Sequence, residues 1–272
     1  MNINYVLLFL KKLINMKKQS KLLLILLSVF IATSCSEESV SDDFEEVNGD
    51  VAVKLMESIS VTDNEDSDDN ATISMYYTND GKLNTISDGS DTTVFVYDND
   101  NKLTRITSDG DNLNMEELYE SPYDAFDTGE VVEYDGNNNP KIIEVLVEEC
   151  ADDDYWCDTY EVKIYTAELS YDDAHNPFYH TFNAGGIIDV LDNVELNFGS
   201  SQSPEIVKVK DLFPMNNLSQ IIYKNEEGDP VFSININYSY DDENYPVSAT
   251  ITAVDIEESE QSVFSVSFTY ID

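Results

Sequence analysis

The feature that most constrains the fold is a short pattern that begins at a tyrosine and recurs along the chain. A polar loop rich in Asn, Asp and Gly follows the tyrosine, and a Leu or Pro stands six residues after it. The pattern starts at Tyr77, Tyr97, Tyr134 and Tyr240, and in altered form at Tyr171 and Tyr223. This spacing suits a strand that ends at the tyrosine, a turn in which Gly or Asn takes a positive φ, and a second strand that begins at Leu or Pro. The repeat therefore predicts a series of β-hairpins.

The two altered copies predict variants of the same hairpin. The copy at Tyr171 keeps Pro177 six residues on but has His180 where an apolar residue is usual. We expect His175 and His180 to face each other across that hairpin. The copy at Tyr223 is explained by one inserted residue.

Between the turns, apolar and polar residues alternate, as in 93–97, 231–238 and 263–270. Such alternation is typical of half-buried antiparallel strands. A single hairpin is marginally stable in water, so several must join to bury their apolar faces. The sequence predicts an all-β fold, a meandering antiparallel sheet that is curved or rolled. A helical apolar period is absent after Cys35, apart from the short stretch 114–119.

Two copies of the pattern, 77–86 and 97–106, resemble YD repeats, the hairpin units of RHS-type proteins. The chain as a whole is similar to small bacterial surface lipoproteins of unknown function built from degenerate hairpins of this kind. The resemblance covers residues 51–272. It implies a long meandering antiparallel sheet and no particular chemistry.

The N-terminal segment 1–34 has the order of a secretory signal. Basic residues up to Lys21 precede the apolar run 22–31, and three small residues lead to Cys35. A cysteine at this point resembles the lipobox of bacterial lipoproteins, and Met16 is an alternative start that gives a signal of ordinary length. Ten apolar residues fall short of the roughly 20 that a membrane-spanning helix needs. We therefore expect a lipid on Cys35.

The residues after Cys35 predict the cellular location of the protein and its domain boundaries. The acidic stretch 36–46 resembles an export tag that places lipoproteins on the outside of the outer membrane, so we expect a lipid-anchored protein facing the cell exterior. We interpret 35–50 as the lipidated cysteine with a flexible acidic tether, and 51–272 as a single domain.

The charge of the mature chain excludes one class of partner. Removal of the signal leaves 9 of the 14 basic residues against all 55 acidic ones, a formal charge of −46. Nucleic-acid binding requires clustered Lys and Arg, which this chain lacks. The expected partners are the membrane, through the lipid, and an extracellular glycan or an envelope protein.

Two cysteines remain after Cys35. Cys150 and Cys157 flank an acidic loop between two strand-like runs, and an even pair in an exported protein predicts a disulfide. Zinc is the alternative, although no further ligands adjoin the pair. The loop also holds Tyr155 and Trp156, an aromatic pair that can stack on a sugar ring or contact a partner protein.

Several loops offer enough hard oxygen ligands for calcium. None has the EF-hand spacing, because Ala71 stands where that loop requires Gly. Asn and Asp also form turns without a metal, so we expect no cofactor and keep calcium as the alternative. The candidate ligands are Asp66, Asp68, Asn70, Asp98 and Asp100.

The chain carries no motif for nucleophilic catalysis such as Gly-x-Ser-x-Gly. We therefore expect no enzymatic activity and interpret the protein as a binding module of the cell surface. A structural or assembly component of the envelope is one alternative. A glycan hydrolase that uses an acidic pair is the other.

Overall fold

A computed structural model describes residues 39–64, 70–108, 111–120, 123–124, 130–150, 160–197, 206–256 and 258–271. Within these ranges the chain forms sixteen strands, four short α-helices and one 3-10 turn. In chain order they are α1 Val40–Asn48, β1 Leu55–Asp63, β2 Ala71–Tyr77, β3 Leu83–Ser87, β4 Thr92–Tyr97, β5 Leu103–Ser108, β6 Asp111–Asn114, α2 Met115–Glu120, β7 Tyr123–Asp124, β8 Glu130–Tyr134, β9 Pro140–Cys150, β10 Tyr160–His175, α3 Tyr179–Ala184, α4 Ile187–Leu191, β11 Glu195–Asn197, β12 Ile206–Lys208, the 3-10 turn Val209–Leu212, β13 Asn216–Lys224, β14 Pro230–Tyr240, β15 Pro246–Asp255 and β16 Glu260–Ile271.

Thirteen of these strands form one large sheet, in the order β6-β5-β4-β3-β2-β1-β16-β15-β14-β13-β10-β9-β8. Each strand runs antiparallel to its neighbours. Among the described residues the terminal strands β6 and β8 do not pair with each other, so the sheet is open. The predicted all-β class and the meandering antiparallel sheet are confirmed.

Five hairpins of the large sheet share one turn. A side-chain oxygen of its first residue accepts a hydrogen bond from the backbone N–H four residues later. The first residues are Thr78, Asp98, Asp135, Asn225 and Asp241. The fourth turn residue has a positive φ and is Gly81, Asn101, Asn138, Gly228 or Asn244. Gly and Asn are the residues that adopt this conformation at least cost. The repeat in the sequence therefore reflects the residues that this type of turn requires at its first and fourth positions.

Four of these turns lie at the same end of the sheet, which we call the tyrosine end. They follow Tyr77, Tyr97, Tyr134 and Tyr240, whose partners across the turn are Leu83, Leu103, Pro140 and Pro246. The hydroxyl of Tyr77 donates to the carbonyl of Met56 at 2.7 Å, and that of Tyr97 donates to the carbonyl of Leu83 at 2.6 Å. The tyrosines thus tie the end of one strand to the start of another.

The two altered copies differ from the sequence prediction. Lys224, rather than Tyr223, lies across from Pro230, so the fifth turn has the usual length and is displaced by one residue. At Tyr171 no hairpin forms, because β10 continues to His175. The chain then leaves the sheet, since Asn176 donates from its side chain to the carbonyl of Pro214 and accepts from the N–H of Phe178.

One face of the large sheet, the inner face, carries the apolar core. Met56, Ile59, Ile73 and Met75 are buried there with most of the other inward side chains of the sheet. Helices α3 and α4 cover its tyrosine end, where Gly186 (φ 70°) approaches Leu103 so closely that a Cβ would stand 3.2 Å from the Cβ of Leu103. The insertion between β10 and β13 is therefore part of the core.

Helix α1 corrects the prediction of a flexible tether over 35–50 for its described part, which begins at Ser39. A capping box begins the helix: the Ser39 hydroxyl accepts from the N–H of Asp42, and the Asp42 carboxylate accepts from the N–H of Ser39. Val40 and Phe44 are buried against α3 and α4. The folded part of the chain thus begins before Val51, because one apolar face of the acidic stretch packs on the domain.

Candidate functional site

The outer face of the large sheet has an unusual composition. Antiparallel register aligns eighteen side chains of its central part in four cross-strand rows that together run from β3 to β10, and seventeen of these eighteen are Ser, Thr, Asn or Gln. We call this surface the hydroxyl–amide face. Its rows are Ser87-Ser74-Ser58-Thr269, Thr72-Ser60-Ser267-Ser248-Ser239, Thr62-Ser265-Thr250-Asn237 and Val263-Thr252-Asn235-Gln220-Ser170.

Alternation along each strand places these side chains outward, since every second residue of the same strands is apolar and faces the core. All eighteen are exposed or half-buried. Neighbours within a row bond to each other in places: the Ser58 and Thr269 hydroxyls are 2.8 Å apart, and those of Ser60 and Thr72 are 2.9 Å apart. A hydroxyl both donates and accepts, so a row offers alternating hydrogen-bond partners to a ligand.

The electrostatics of this face contrast with the rest of the chain. The sequence carries 55 acidic residues, yet none of the eighteen positions is charged. Beyond the rows, Glu168 of β10 and Lys224 of β13 form an ion pair with 2.5 Å between the Lys Nζ and the Glu Oε1. The face is therefore a neutral, polar area on a strongly acidic protein.

One large aromatic side chain adjoins the rows. Tyr76 lies on β2, on the same face as Ser74 and opposite Thr85 of β3, and 56% of its surface is exposed. An exposed tyrosine beside hydroxyl groups offers a flat apolar surface together with a polar tip. It can pack against the face of a sugar ring.

A second cluster lies at the tyrosine end, where α1 meets the core. The ring of Phe44 stacks on Tyr179, with 3.7 Å between ring centroids and an interplanar angle of 7°. It also contacts the edges of His175 and His180 at centroid distances of 6.5 and 6.0 Å. The Nε2 atoms of both imidazoles are buried without a hydrogen-bond partner.

Burial, and next the neighbouring His180, lower the pKa of His175 to about 4. Burial also lowers the pKa of His180. Both rings are therefore neutral at ordinary pH and act as packing surfaces for α1. In the part of the chain that the structure describes, no group of three or more His, Cys, Asp or Glu could hold a metal ion.

The histidine cluster predicts acid sensitivity. The unfolded chain takes up protons on these imidazoles near their ordinary pKa, whereas the folded chain resists protonation, so their contribution to stability is complete above about pH 6.5 and falls as the pH drops toward 4. We expect His175 to account for a loss of roughly 1–2 kcal/mol in the free energy of unfolding between about pH 7 and about pH 5. Urea unfolding as a function of pH measures it.

The matched variant for this measurement is His175→Leu, which keeps an apolar side chain beside Phe44 and Tyr245. The other groups that face His175 are His180, Asp241 and Lys54, and they are common to both proteins. The variant should therefore lose less stability on acidification than the wild type, with an unchanged near-ultraviolet circular dichroism spectrum as evidence of a native fold. Parallel pH profiles for the two proteins would contradict the role of His175.

The structure gives two of the calcium candidates, Asp98 and Asn70, a structural role. The Asp98 carboxylate accepts from the N–H groups of Asp100 and Lys102, at 2.9 Å each, and so shapes its turn. The side chain of Asn70 accepts from the N–H of Asp63 at 3.0 Å, which closes the base of the β1–β2 connection. Asp100 lies exposed in the same turn as Asp98.

The remaining predicted site residues fall on parts of the chain outside the description. Cys35, Cys157, Tyr155, Trp156, Asp66 and Asp68 lie outside the described residues, and Cys150 is described only as the last residue of β9. Lipidation, the disulfide and the aromatic contact stay predictions. The sequence did contain a signal for the hydroxyl–amide face, because the polar residues of 231–240 and 263–270, apart from the tyrosines, are all Ser, Thr or Asn.

The sequence matches no family model and no curated protein. Solved structures with a similar fold include a porin-like protein from Bacteroides uniformis ATCC 8492, with a TM-score of 0.35, 11% identity, and coverage of 79% of this chain and 98% of that chain. A porin-like protein from Bacteroides vulgatus ATCC 8482 has a TM-score of 0.31 and 13% identity, with 78% and 97% covered. A putative outer membrane lipoprotein-sorting protein domain from Vibrio parahaemolyticus has a TM-score of 0.24 and 6% identity, with 85% and 88% covered. Similarity at this level carries no function across to this chain.

Among the described residues no helix has both the length and the apolar character needed to cross a bilayer.

Proposed function

We propose that this protein is a lipid-anchored protein of the outer membrane, displayed at the cell surface, that binds an uncharged glycan on its hydroxyl–amide face without chemical catalysis. The observation that carries the proposal is the set of four rows of neutral hydroxyl and amide side chains on an otherwise acidic chain. The anchor and the address follow from the signal at 1–34 and from Cys35 with its acidic successor segment.

The chemistry of the face favours a neutral ligand rich in hydroxyl groups. An anionic ligand would require Lys or Arg, and a cationic one would require Asp or Glu, but the rows have neither. A protein partner of ordinary size requires an apolar or aromatic centre to its interface, whereas Val263 is the one apolar position of the eighteen. Sugar hydroxyls both donate and accept, as Ser, Thr, Asn and Gln side chains do.

The geometry suits an extended chain rather than a small molecule. Eight strands at ~4.8 Å spacing give the face a width of roughly 34 Å. The face is a sheet surface with half-buried and exposed side chains rather than a closed cavity. Such a surface can bind several sugar units through many weak contacts, with Tyr76 as a stacking surface beside the rows.

A carboxylate placed in the middle of the face tests the proposal. Thr250→Glu is expected to weaken binding at least about tenfold, equivalent to ~1.4 kcal/mol, because the ligand would have to dehydrate the new charge. A glycan array with neutral and anionic oligosaccharides identifies a binder, and calorimetry with that oligosaccharide measures the affinity of each variant.

The control carries the same change of charge away from the face. Asn99→Glu lies in the exposed turn after Tyr97 and should bind like the wild type, while Tyr76→Ala should bind more weakly through loss of stacking. Equal affinities for Thr250→Glu and Asn99→Glu would remove the hydroxyl–amide face as the binding site. Protease treatment of intact cells tests the proposed location at the cell surface. A protein that stays protected until the outer membrane is broken faces the periplasm instead.

A second candidate function is that of an assembly component of the envelope. The observation in its favour is the open sheet, in which β6 and β8 each have a single neighbour among the described strands. Val132 on β8 is 50% exposed, and a free strand edge can accept a strand from a partner protein. This function predicts co-purification with an outer-membrane protein and no binding on the glycan array. A hydrolase with an acidic pair has no observation in its favour among the described residues.

A further inference from the structure

Helix α1, the first described element of the chain, packs against one end of the large sheet. The side chain of Asn48 donates to the carbonyl of Met215, just before β13, at 3.0 Å. Phe44 contacts His175, the last residue of β10. Both strand ends belong to the tyrosine end of the sheet, so α1 packs at that end.

The segment between α1 and β1 binds to the same end. Lys54 forms ion pairs with Asp241 and Glu243 of the β14–β15 turn, at 2.6 and 2.5 Å, and hydrogen bonds to both carboxylates raise its pKa. The hydroxyl of Tyr245, in the same turn, donates to the carbonyl of Ala52 at 2.6 Å. The chain from Ser39 to Lys54 is thus held against the tyrosine end at several points.

Few residues separate this end from the proposed anchor. Three residues lie between Cys35 and Ser39, and four steps of fully extended chain reach at most about 14 Å. The described β14 and β15 are eleven and ten residues long, so the opposite end of the sheet lies roughly 30 Å further along the strands. A lipid on Cys35 can therefore reach the bilayer when the tyrosine end faces it, whereas the connection is too short for the opposite end to face it.

We propose that the tyrosine end of the sheet faces the lipid surface and that the opposite end projects away from it. This inference rests on the proposed anchoring at Cys35 but is independent of glycan binding. The strands then stand off the membrane, and the hydroxyl–amide face is accessible from the side. The acidic turns at the tyrosine end give no attraction to anionic headgroups, so the short connection, rather than adhesion, sets the orientation.

The projecting end carries a defined set of connections. The turn after Lys224, the β15–β16 connection and the end of β9 at Cys150 all lie there. Cys150, the last residue of β9, therefore lies about 30 Å from the membrane-facing turns, given the length of the strands.

Two equivalent positions in the same type of turn give a matched test. Asp100 and Glu227 are both exposed, both acidic and both third in their turns, but Asp100 lies at the tyrosine end and Glu227 lies at the opposite end. The full lipidated chain carrying Asp100→Cys or Glu227→Cys is labelled with a donor fluorophore and reconstituted in phosphatidylcholine vesicles that contain acceptor-labelled lipid. The wild-type chain treated with the same label gives the background.

We expect severalfold higher energy transfer to the lipid from position 100 than from position 227. Equal transfer from the two positions, or the reverse order, overturns the orientation. Protein that does not float with the vesicles contradicts the lipid anchor itself, a different failure that is read from the flotation step. Insertion of about twenty Gly and Ser residues after Ser36 should remove the difference, since a flexible segment of that length reaches roughly 25 Å and frees the domain to turn.

Discussion

Replacement of Phe44 by alanine is expected to lower the free energy of unfolding by about 3–4 kcal/mol, the cost of removing a buried aromatic side chain. Phe44 is 3% exposed and stacks on Tyr179. Its loss would leave a cavity between α1 and α3 and would bring water to two imidazoles whose Nε2 atoms have no partner. Urea unfolding monitored by tyrosine fluorescence measures the change.

The neighbouring Glu45 supplies the control for this prediction. Glu45 lies on the exposed side of α1, so Glu45→Ala should change stability by no more than about 0.5 kcal/mol. If 39–48 behaved as a flexible tether, both substitutions would be equally mild. A loss of less than about 1 kcal/mol for Phe44→Ala would contradict the packing of α1 as a stabilising element.

Replacement of Asn139 by alanine is expected to cost about 3 kcal/mol, because it removes one side chain that satisfies several buried groups. The Asn139 Oδ1 accepts from the backbone N–H groups of Met215 and Asn216, at 2.7 and 3.1 Å. Its Nδ2 donates to Asp135 and to the side chain of Asn216. Asn139 and the residues of both donors are almost completely buried, so water cannot replace the lost acceptor without opening the structure.

The matched substitution is Asn79→Ala, in the exposed tip of the β2–β3 turn. It should be close to neutral, within about 0.5 kcal/mol. Hydrogen exchange gives a second readout: the amides of Met215 and Asn216 should exchange faster in Asn139→Ala and not in Asn79→Ala. Retained protection of both amides would show that another group satisfies them.

The hairpins were predictable because their determinants are local. A turn of fixed length needs a side-chain acceptor at its first residue and Gly or Asn at the position with positive φ. Asp98 and Asn101, or Asp241 and Asn244, meet both requirements within a few residues of each other. The stretch 114–119 was too short to predict a helix from the sequence, and the structure forms α2 over Met115–Glu120.

The two places where the structure differs from the sequence prediction, Tyr171 and α1, also have a physical explanation. The copy at Tyr171 has the spacing of the pattern, but Asn176 bonds to Pro214, a residue 38 positions away, and turns the chain into α3 instead. Helix α1 carries a local signal, a Ser39–Asp42 capping box with apolar residues four apart at Val40 and Phe44. This local signal does not by itself predict a packed helix, because Tyr179, which stacks on Phe44, lies more than a hundred residues away.

The sequence alone determined the main strands, the turns that join them and the absence of charged residues from 231–240 and 263–270, and it predicts the anchor at Cys35. Only the tertiary structure decided that the first and last strands pair, that four rows of hydroxyl and amide groups align across eight strands, and that α1 closes the tyrosine end. Turn geometry depends on side chains a few residues apart, which a sequence displays directly. Register between β1 and β16, and the burial of Phe44, depend on contacts between distant segments, which form only when the whole sheet folds.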